Sequence, residues 1–443
     1  MRIVSANNGS LREIMDNTLQ DLRNSNANNY LSARIAGGRD RIRVVDANKR
    51  GFVVALDYST NPTGGFMSPT TASAAANLVT PYSPQLDRMT ANYQYIQFAR
   101  EVDNENLANS KAGMHVGATA KALAARKELE RRLEFEEWFF CRGDGSQVIA
   151  DITSGVSIAA AATGTITCSG SRDGAGAWMI RVGQRIRIYD VTLATLKSWA
   201  TVTAKASNTS FSIVPDSNLT AGNAVVDTDV ILPEADTTLL GTTGIKGLPY
   251  LVKASGNYFD KSLSTVPALQ GIIDSSTTTF TRTTMEYLRR RHKSIRNNGS
   301  INTEIATSPA QASNYYAQFY AQNTAQVHVV GNQRPAIDFG GKQPDDYTHW
   351  GQPIHEYKLM HPKNWWNIDP SSFVRLTLKE AGAMLTPAGD YVQKISGGAY
   401  INAQVAWSDD YLEYLSDNPA RNSGFTALTF SGLPLLVNDP FIG

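Results

Sequence analysis

His349, His355 and His361 recur every six residues, and of all the side chains in this sequence they come nearest to a chemical site. Imidazole is both a common metal ligand and a proton carrier near neutral pH, so three in a row raise the question of a metal centre or a general base. Strand alternation puts all three on one face only if the strand runs unbroken, and Pro353 interrupts it. Neither this group nor His115, His292 and His328 forms an HExxH or cysteine-rich zinc pattern. Arg142, Gly143 and Asp144 spell RGD, an adhesion tripeptide when displayed on a flexible loop, but here a helix-stop turn accounts for it. Gly241, Gly244 and Gly247 miss the dinucleotide fingerprint and read as a hinge or flexible loop. Asp103 to Asn106 opens like a calcium loop but lacks its glycine and distal glutamate. With no GxSxG elbow and no P-loop, the sequence predicts no enzyme: no catalytic residue, no cofactor and no metal.

The elements around these residues are more telling. From Ala91 to Ser146 the chain reads as a strand, a long charged helix and an abrupt glycine stop at Gly143 and Gly145. Opposite charges sit one turn apart at Arg126 and Glu130, Glu128 and Arg132, and Arg132 and Glu136, the lacing of an exposed helix at roughly 0.2–0.5 kcal/mol per pair. Ala122, Ala125, Leu129, Leu133 and Phe140 form a narrow apolar stripe for one neighbouring element to cover. Such an element serves as a girder.

Length and composition bound the rest. A chain of 443 residues exceeds one ordinary core and implies two or three domains. With 42% apolar and 18% charged residues and a formal net charge of +1, it lacks the strongly basic balance of a dedicated nucleic-acid binder. Cys141 and Cys168 are expected to be reduced thiols. There is no signal-peptide h-region at the start and no apolar run long enough to span a bilayer, so the expectation is a soluble chain without a cleavable signal or a membrane partner.

Ser10 with Glu13 forms a capping box ahead of a short amphipathic helix. From about Ser32 to Arg88, strand-like pieces alternate with a long Gly, Pro, Ser and Thr stretch, which suits an extended arm laid on a neighbouring subunit. From Ile152 to Pro233, Thr, Ser, Val and Ile with frequent turns predict five strands of a small barrel or sandwich. A helix from about Thr279 to Arg296 follows, ending in Arg289, Arg290, Arg291 and Lys293; cations suit a last helical turn, and they are also candidates to face DNA. Further strands (NTEIATS, WGQPIHEYKLM, FVRLTL, YINAQVAW) complete an α+β body.

In order, the parts are an amphipathic arm, a loose loop, a strand with QFAREVDNENLANS leading into the charged helix, the Arg142 to Ser146 stop, a β insertion, and late strands with DNPARNSG at Asp417 to Gly424. This order resembles the major capsid protein of tailed bacteriophages, the Hong Kong 97 fold. The resemblance implies an N-arm at 1–30, an extended loop at 31–88, and a peripheral domain strand and spine helix at 89–151. It also implies an inserted small all-β domain at 152–235, an axial domain at 236–388 and return strands at 389–443. It implies hexamers and pentamers closing into an icosahedral head in the host cytoplasm. The implied partners are further copies of the chain, a portal, a separate scaffolding protein, a decoration protein and non-specifically packaged double-stranded DNA. Subunit-interface candidates are Arg41, Arg43, Lys49, Arg50, Glu128, Arg131 and Arg132, with Lys49 also placed where some relatives carry a cross-linking lysine. The alternatives are an encapsulin-like compartment shell and a β-rich surface binding protein.

Overall fold

The computed structural model describes residues 30–36, 42–44, 51–57, 86–92, 94–103, 116–169, 176–235, 241–279, 281–295, 304–315, 348–349, 352–377, 384–385, 392–396 and 399–429. The architecture is α+β. The sequence-predicted N-terminal helix and the loop over 58–85 lie outside the described residues. A short helix α1 (Leu31–Ala36) leads to strand β1 (Ile42–Val44) and then to an antiparallel ribbon of β2 (Gly51–Asp57) and β3 (Leu86–Asn92), in register from Gly51 opposite Asn92 to Asp57 opposite Leu86. Strand β4 (Gln94–Asp103) precedes the spine helix α2 (Val116–Arg142).

After Gly117, α2 contains neither glycine nor proline and is built mostly of Ala, Leu, Arg, Lys and Glu, all strong helix formers. Its 27 residues span roughly 40 Å at 1.5 Å each. The Gly143 amide donates to the Phe139 carbonyl at 2.7 Å, and Gly145 turns the chain with φ +96°. Of the three glycines expected to form a hinge, Gly244 and Gly247 instead pack closely against this stop, and Gly241 packs against Leu232 and Leu193. Gly244 donates to the Gly145 carbonyl at 2.7 Å and Gly247 to the Gly143 carbonyl at 2.9 Å. A side chain at Gly247 would run into the carbonyls of Phe139 and Phe140, and one at Gly244 into the backbone of Ser146.

The chain then closes a barrel in the order β10-β5-β6-β9-β8-β7, from β5 (Ala150–Ile152), β6 (Gly164–Ser169), β7 (Arg185–Tyr189), β8 (Leu196–Lys205), β9 (Ser210–Pro215) and β10 (Val230–Pro233). Five of these are the strands read from the sequence. The sixth, β5, begins ahead of the expected boundary at 152, and closure depends on it because both β10 and β6 pair with it. Alternation along β9 turns Phe211 and Ile213 inward to meet Ile166, Ile186, Ile188 and Val202.

Beyond the barrel lie a one-turn helix α3 (Leu248–Leu251), a small hairpin of β11 (Asn257–Tyr258) and β12 (Lys261–Ser262), β13 (Ile272–Asp274), helix α4 (Arg282–Ile295) and β14 (Glu304–Thr307). A helical stretch over 309–315 follows. The remaining strands are β15 (Thr348–His349), β16 (Gln352–Glu356), β17 (Trp365–Ile368), β18 (Phe373–Thr377), β19 (Met384–Leu385), β20 (Val392–Ser396), β21 (Ala399–Ser416) and β22 (Ser423–Phe425). One sheet runs β13-β22-β17-β14-β16-β15. Its strand β17 escaped the sequence reading and carries Trp365 and Trp366, both fully buried on opposite faces. Trp366 joins the main core and Trp365 a second one, so this sheet is covered on both sides. Gly424 stands opposite Trp366 and leaves room for its indole.

The other sheet is assembled on β21, with β18, β19 and β20 along it and β4 paired from Asp103 opposite Ala403 to Gln94 opposite Leu412. Strand β1 adds to β18 in parallel. Late and early chain therefore share one sheet, and α2 packs on it.

Gly247→Ala is expected to lower the unfolding free energy by about 2–4 kcal/mol, because rigid backbone cannot yield to the new methyl group. Gly222→Ala, which opens onto empty space, is expected to stay within about 0.5 kcal/mol. Urea unfolding of the two variants checks the contrast; equal effects would contradict the close-packing role.

Candidate functional site: a spine helix anchored by buried charges

The stripe residues Leu129, Leu133 and Phe140 are buried, as expected, while the side chains of Ala122 and Ala125 lie outside the described residues. The polar face departs from expectation. Arg126 and Glu130 form the exposed i,i+4 pair at 3.0 Å, but Glu128, Arg132, Glu136 and Glu137 are all buried, the last at 0% exposure. Instead of meeting solvent, the last two turns of α2 insert their charges into the protein.

Glu136 is the centre of this arrangement. Its Oε1 accepts from Arg375 Nε at 2.7 Å and from the Tyr414 hydroxyl. Arg375 on β18 and Tyr414 on β21 are direct cross-strand partners, so a single carboxylate ties two adjacent strands to the helix. Phe140, one turn on, packs its ring 4.5 Å from that of Tyr414 and 6.0 Å from that of Phe373. Removing one member of such a buried pair strands the other, at a cost of about 3–5 kcal/mol.

Glu137 faces another way and holds the start of α1. Its two oxygens accept the amides of Leu31 at 2.9 Å and Ser32 at 2.7 Å, so a side chain more than a hundred positions away takes the role of an N-cap. The Cys141 thiol donates to the same carboxylate at 3.0 Å. Burial raises the Glu137 pKa above the ordinary carboxylate value despite these donors. Burial and the adjacent Glu137 also push the Cys141 thiol well above the ordinary thiol range, so it is not a ready nucleophile. Cys168, on β6, is likewise a buried free thiol. Arg34 of α1 adds an ion pair to Glu304 of β14 at 2.7 Å.

The helix stop is fixed in the same way. Arg142 lies over the Trp138 ring at 4.1 Å and donates to the carbonyls of Leu359 at 2.6 Å and Met360 at 3.3 Å. The arginine of the RGD tripeptide is therefore held down as part of the scaffold. Across the Asp144–Lys246 bridge, Lys246 Nζ and the Lys246 amide both reach the buried Glu413 of β21 at 2.9 Å. On the opposite flank, Arg131 donates to the Met179 carbonyl at 2.5 Å, and Glu134 lies 3.6 Å from Arg131 and 3.5 Å from Arg181. The spine helix thus touches α1, the β21 sheet, the region of α3 and the barrel.

The histidines do not converge. His355 Nε2 lies 3.8 Å from Glu304, and His361 Nδ1 accepts the Lys363 amide at 3.1 Å. His349 sits on β15, paired with Gln352 of β16. Among the described residues, no three metal-capable side chains group together, and no helix is long and apolar enough to cross a membrane. Of the interface candidates, Arg43 lies in β1 opposite Leu376, while Arg41, Lys49 and Arg50 fall outside the described residues. Glu128, Arg131 and Arg132 sit on α2, Arg131 turned to the chain's own barrel. Arg290 is exposed and pairs with Glu286 at 2.5 Å; the side chains of Arg289, Arg291 and Lys293 lie outside the described residues.

The DNPARNSG segment has a structural use that the sequence reading left open. Arg421 pairs with Asp369 at 3.1 Å, and the Asn422 side chain accepts the Asp369 amide at 2.8 Å and donates to the Ser372 hydroxyl at 3.0 Å. A corner between β17 and β18 is thereby fixed to the chain's final described strand.

No protein-family model and no curated protein matches the chain. Among solved structures, it is similar to the capsid asymmetric unit of cyanophage A-1(L), at 12% identity over 87% of this chain and 90% of that one, with a TM-score of 0.45. It is also similar to the capsid of a native GTA particle (11% identity, 89% and 91% covered, TM-score 0.45) and to a chain of Gordonia phage Cozz (9% identity, 88% and 84% covered, TM-score 0.41). The solved structures it is similar to include phage capsids and a virus-like particle from Pyrococcus furiosus (7% identity, TM-score 0.31). With TM-scores under 0.5, these likenesses leave the chain's function to its own geometry.

The raised pKa of Glu137 sets a pH dependence. Its contribution to stability is complete below the unfolded value of about 4.3 and is lost as pH rises through the folded value. The stability difference between wild type and Glu137→Gln, measured by urea unfolding, is therefore expected to shift against wild type as pH rises above about 4. A difference that stays flat or moves the other way would contradict the assignment.

Proposed function

We propose that this chain is the major capsid protein of a tailed bacteriophage, forming hexamers and pentamers that close into an icosahedral head around double-stranded DNA. The observation that carries this reading is the mechanical use of α2. One helix is anchored by buried ion pairs and carbonyl contacts to the start of the described chain, to the sheet built on its late strand β21, and to the barrel. A subunit built this way passes load between distant surfaces without distorting. It acts as a structural part, with no catalytic role.

The ribbon β2–β3 gives further support. Among the described residues it forms a sheet of two strands, and such a ribbon is marginal in water unless something covers it. Met89 and Ala91 anchor its base in the core. A neighbouring copy is the natural cover for its far end, which places the extended loop at 31–88 across the next subunit, after an N-arm at 1–30. The peripheral domain then comprises 89–149 with return strands from 389–443, and the axial domain 236–388. The barrel is read as the inserted domain; with β5 counted in it, it starts at Ala150 and the peripheral domain ends at 149. Arg41, Arg43, Lys49 and Arg50 remain interface proposals on the loop side.

A portal, a separate scaffolding protein and a decoration protein complete the proposed partners. The net charge of +1 suits a wall that encloses DNA without gripping it, since every phosphate-bound cation would add salt-dependent affinity.

Deleting Asn61 to Ala76 is expected to leave a folded, soluble subunit that no longer closes into shells. Circular dichroism and negative-stain microscopy check the two halves of that statement. Shells of normal size from the deletion would remove the arm assignment, and shells filled with protein cargo from the intact chain would favour a compartment.

A further inference from the structure

The two ends of the barrel differ in charge, and each exposes apolar side chains. At one end, the turns after β7 and before β10 present Val191, Leu196 and Val226, which are 57%, 36% and 49% exposed. They share that end because Tyr189 pairs with both Leu196 and Val230, and because Lys197 Nζ donates to the Ala224 carbonyl and to Asp229. Asp227 stands exposed beside Val226 and has no ion pair among the described residues. With Asp190 and Asp229 it puts three carboxylates here, against the single ammonium of Lys197.

Both turns carry backbone strain. Leu193 has φ +61° and Thr228 φ +83°, and a β-branched residue at such an angle is a true outlier. Strain of this kind persists where the surrounding structure imposes a particular shape, and it clusters at functional surfaces.

The opposite end lies roughly 30 Å away, the length of the ten-residue β8. There Val182 is 60% exposed, and three cations surround the turn at 178–180. Arg131 donates to the Met179 carbonyl, Arg181 to Trp178 at 2.9 Å and Lys205 to Ile180 at 3.2 Å. Among the described residues, Glu134 is the only carboxylate within ion-pair distance of this group. Burial and the neighbouring cations lower Lys205 to about 8 and Arg131 to about 10, and among the described residues three cations here have one carboxylate within ion-pair distance.

We propose that the barrels of neighbouring copies meet head to tail, the end bearing Val191, Leu196, Val226 and Asp227 of one seating on the end bearing Arg131, Arg181, Val182 and Lys205 of the next. This contact rests on the reading of the chain as a self-assembling shell subunit. The occupant is a second copy because the excess of one end is the deficit of the other, and both ends belong to every subunit. A contact between two different patches is heterologous, and repeated about an axis it closes into a ring, the geometry a capsomer needs. The barrel acts here as a ring-closing clasp, and high salt weakens it.

The test uses the full chain. Asp227→Lys and Lys205→Glu are each expected to lower the fraction assembled into rings or shells by at least about tenfold at fixed protein concentration, since each sets like charges against each other. The double variant is expected to recover to near the wild-type fraction. Independently, Val182→Cys combined with Val226→Cys is expected to give a disulfide-linked ladder ending at five or six subunits under mild oxidation, with none from either single variant; the native thiols are buried. Where the charge swap fails to restore assembly, the ladder decides. Wild-type shells with no effect of either charge reversal, or with neither rescue nor ladder, overturn the contact and leave the capsid reading standing. Wild type that forms neither rings nor shells overturns that reading first, and the contact with it.

Discussion

The structure depends on a carboxylate placed where an isolated charge could not remain. Glu136 lies at 2% exposure in the last turns of the spine helix, and Arg375 at 0% supplies its counter-charge from β18. Desolvating both groups is expensive, so the pair adds little net stability over an apolar replacement. It does add exclusivity of register. A helix whose charge must meet one guanidinium and one phenol cannot slide or rotate on the sheet without leaving charge buried and unmatched. Glu137 applies the same constraint to α1, and Glu413 with Lys246 applies it to the loop after the helix stop.

That constraint explains why other parts are arranged as they are. The helix must end abruptly so that Lys246 can return alongside it, and Gly143, Gly244 and Gly247 permit the close approach of backbones that this return requires. The barrel begins within a few residues of that stop, and its turn at 178–180 rests on Arg131. Barrel, sheet and helix therefore pack on one shared hydrophobic cluster. Such packing suits the shell subunit proposed above, because strain absorbed inside a subunit is unavailable for holding neighbours in place.

Much of the fold was legible in the sequence. Helix formers without interruption up to Gly143 gave the spine, and period-two patterns such as SFSIVP gave five barrel strands. What escaped was tertiary. The strand Ala150–Ile152 is too short to announce itself, and the Trp365–Trp366 pair shows no alternation because both faces of its strand are buried. The glycines at 241, 244 and 247 looked like a hinge because the close approach of backbone to Gly244 and Gly247, and of Leu232 to Gly241, cannot be seen locally. The spine's charges looked like surface lacing because sequence spacing reveals partners one turn away, whereas Arg375 lies 239 positions from Glu136. One signal was available: Glu136 and Glu137 sit inside the aromatic run FEEWFF, and two acids so embedded are more readily explained by burial with partners than by solvent.

A double-mutant cycle on Glu136→Gln and Arg375→Met, read by chemical unfolding of the full chain, tests the central claim most directly. The account predicts strong loss in each single variant, about 3–5 kcal/mol, and a coupling energy of at least about 2 kcal/mol as the double variant recovers part of it. A coupling near zero, with the two losses simply adding, would show that the spine helix is held by packing alone and that the buried charges do not fix its place.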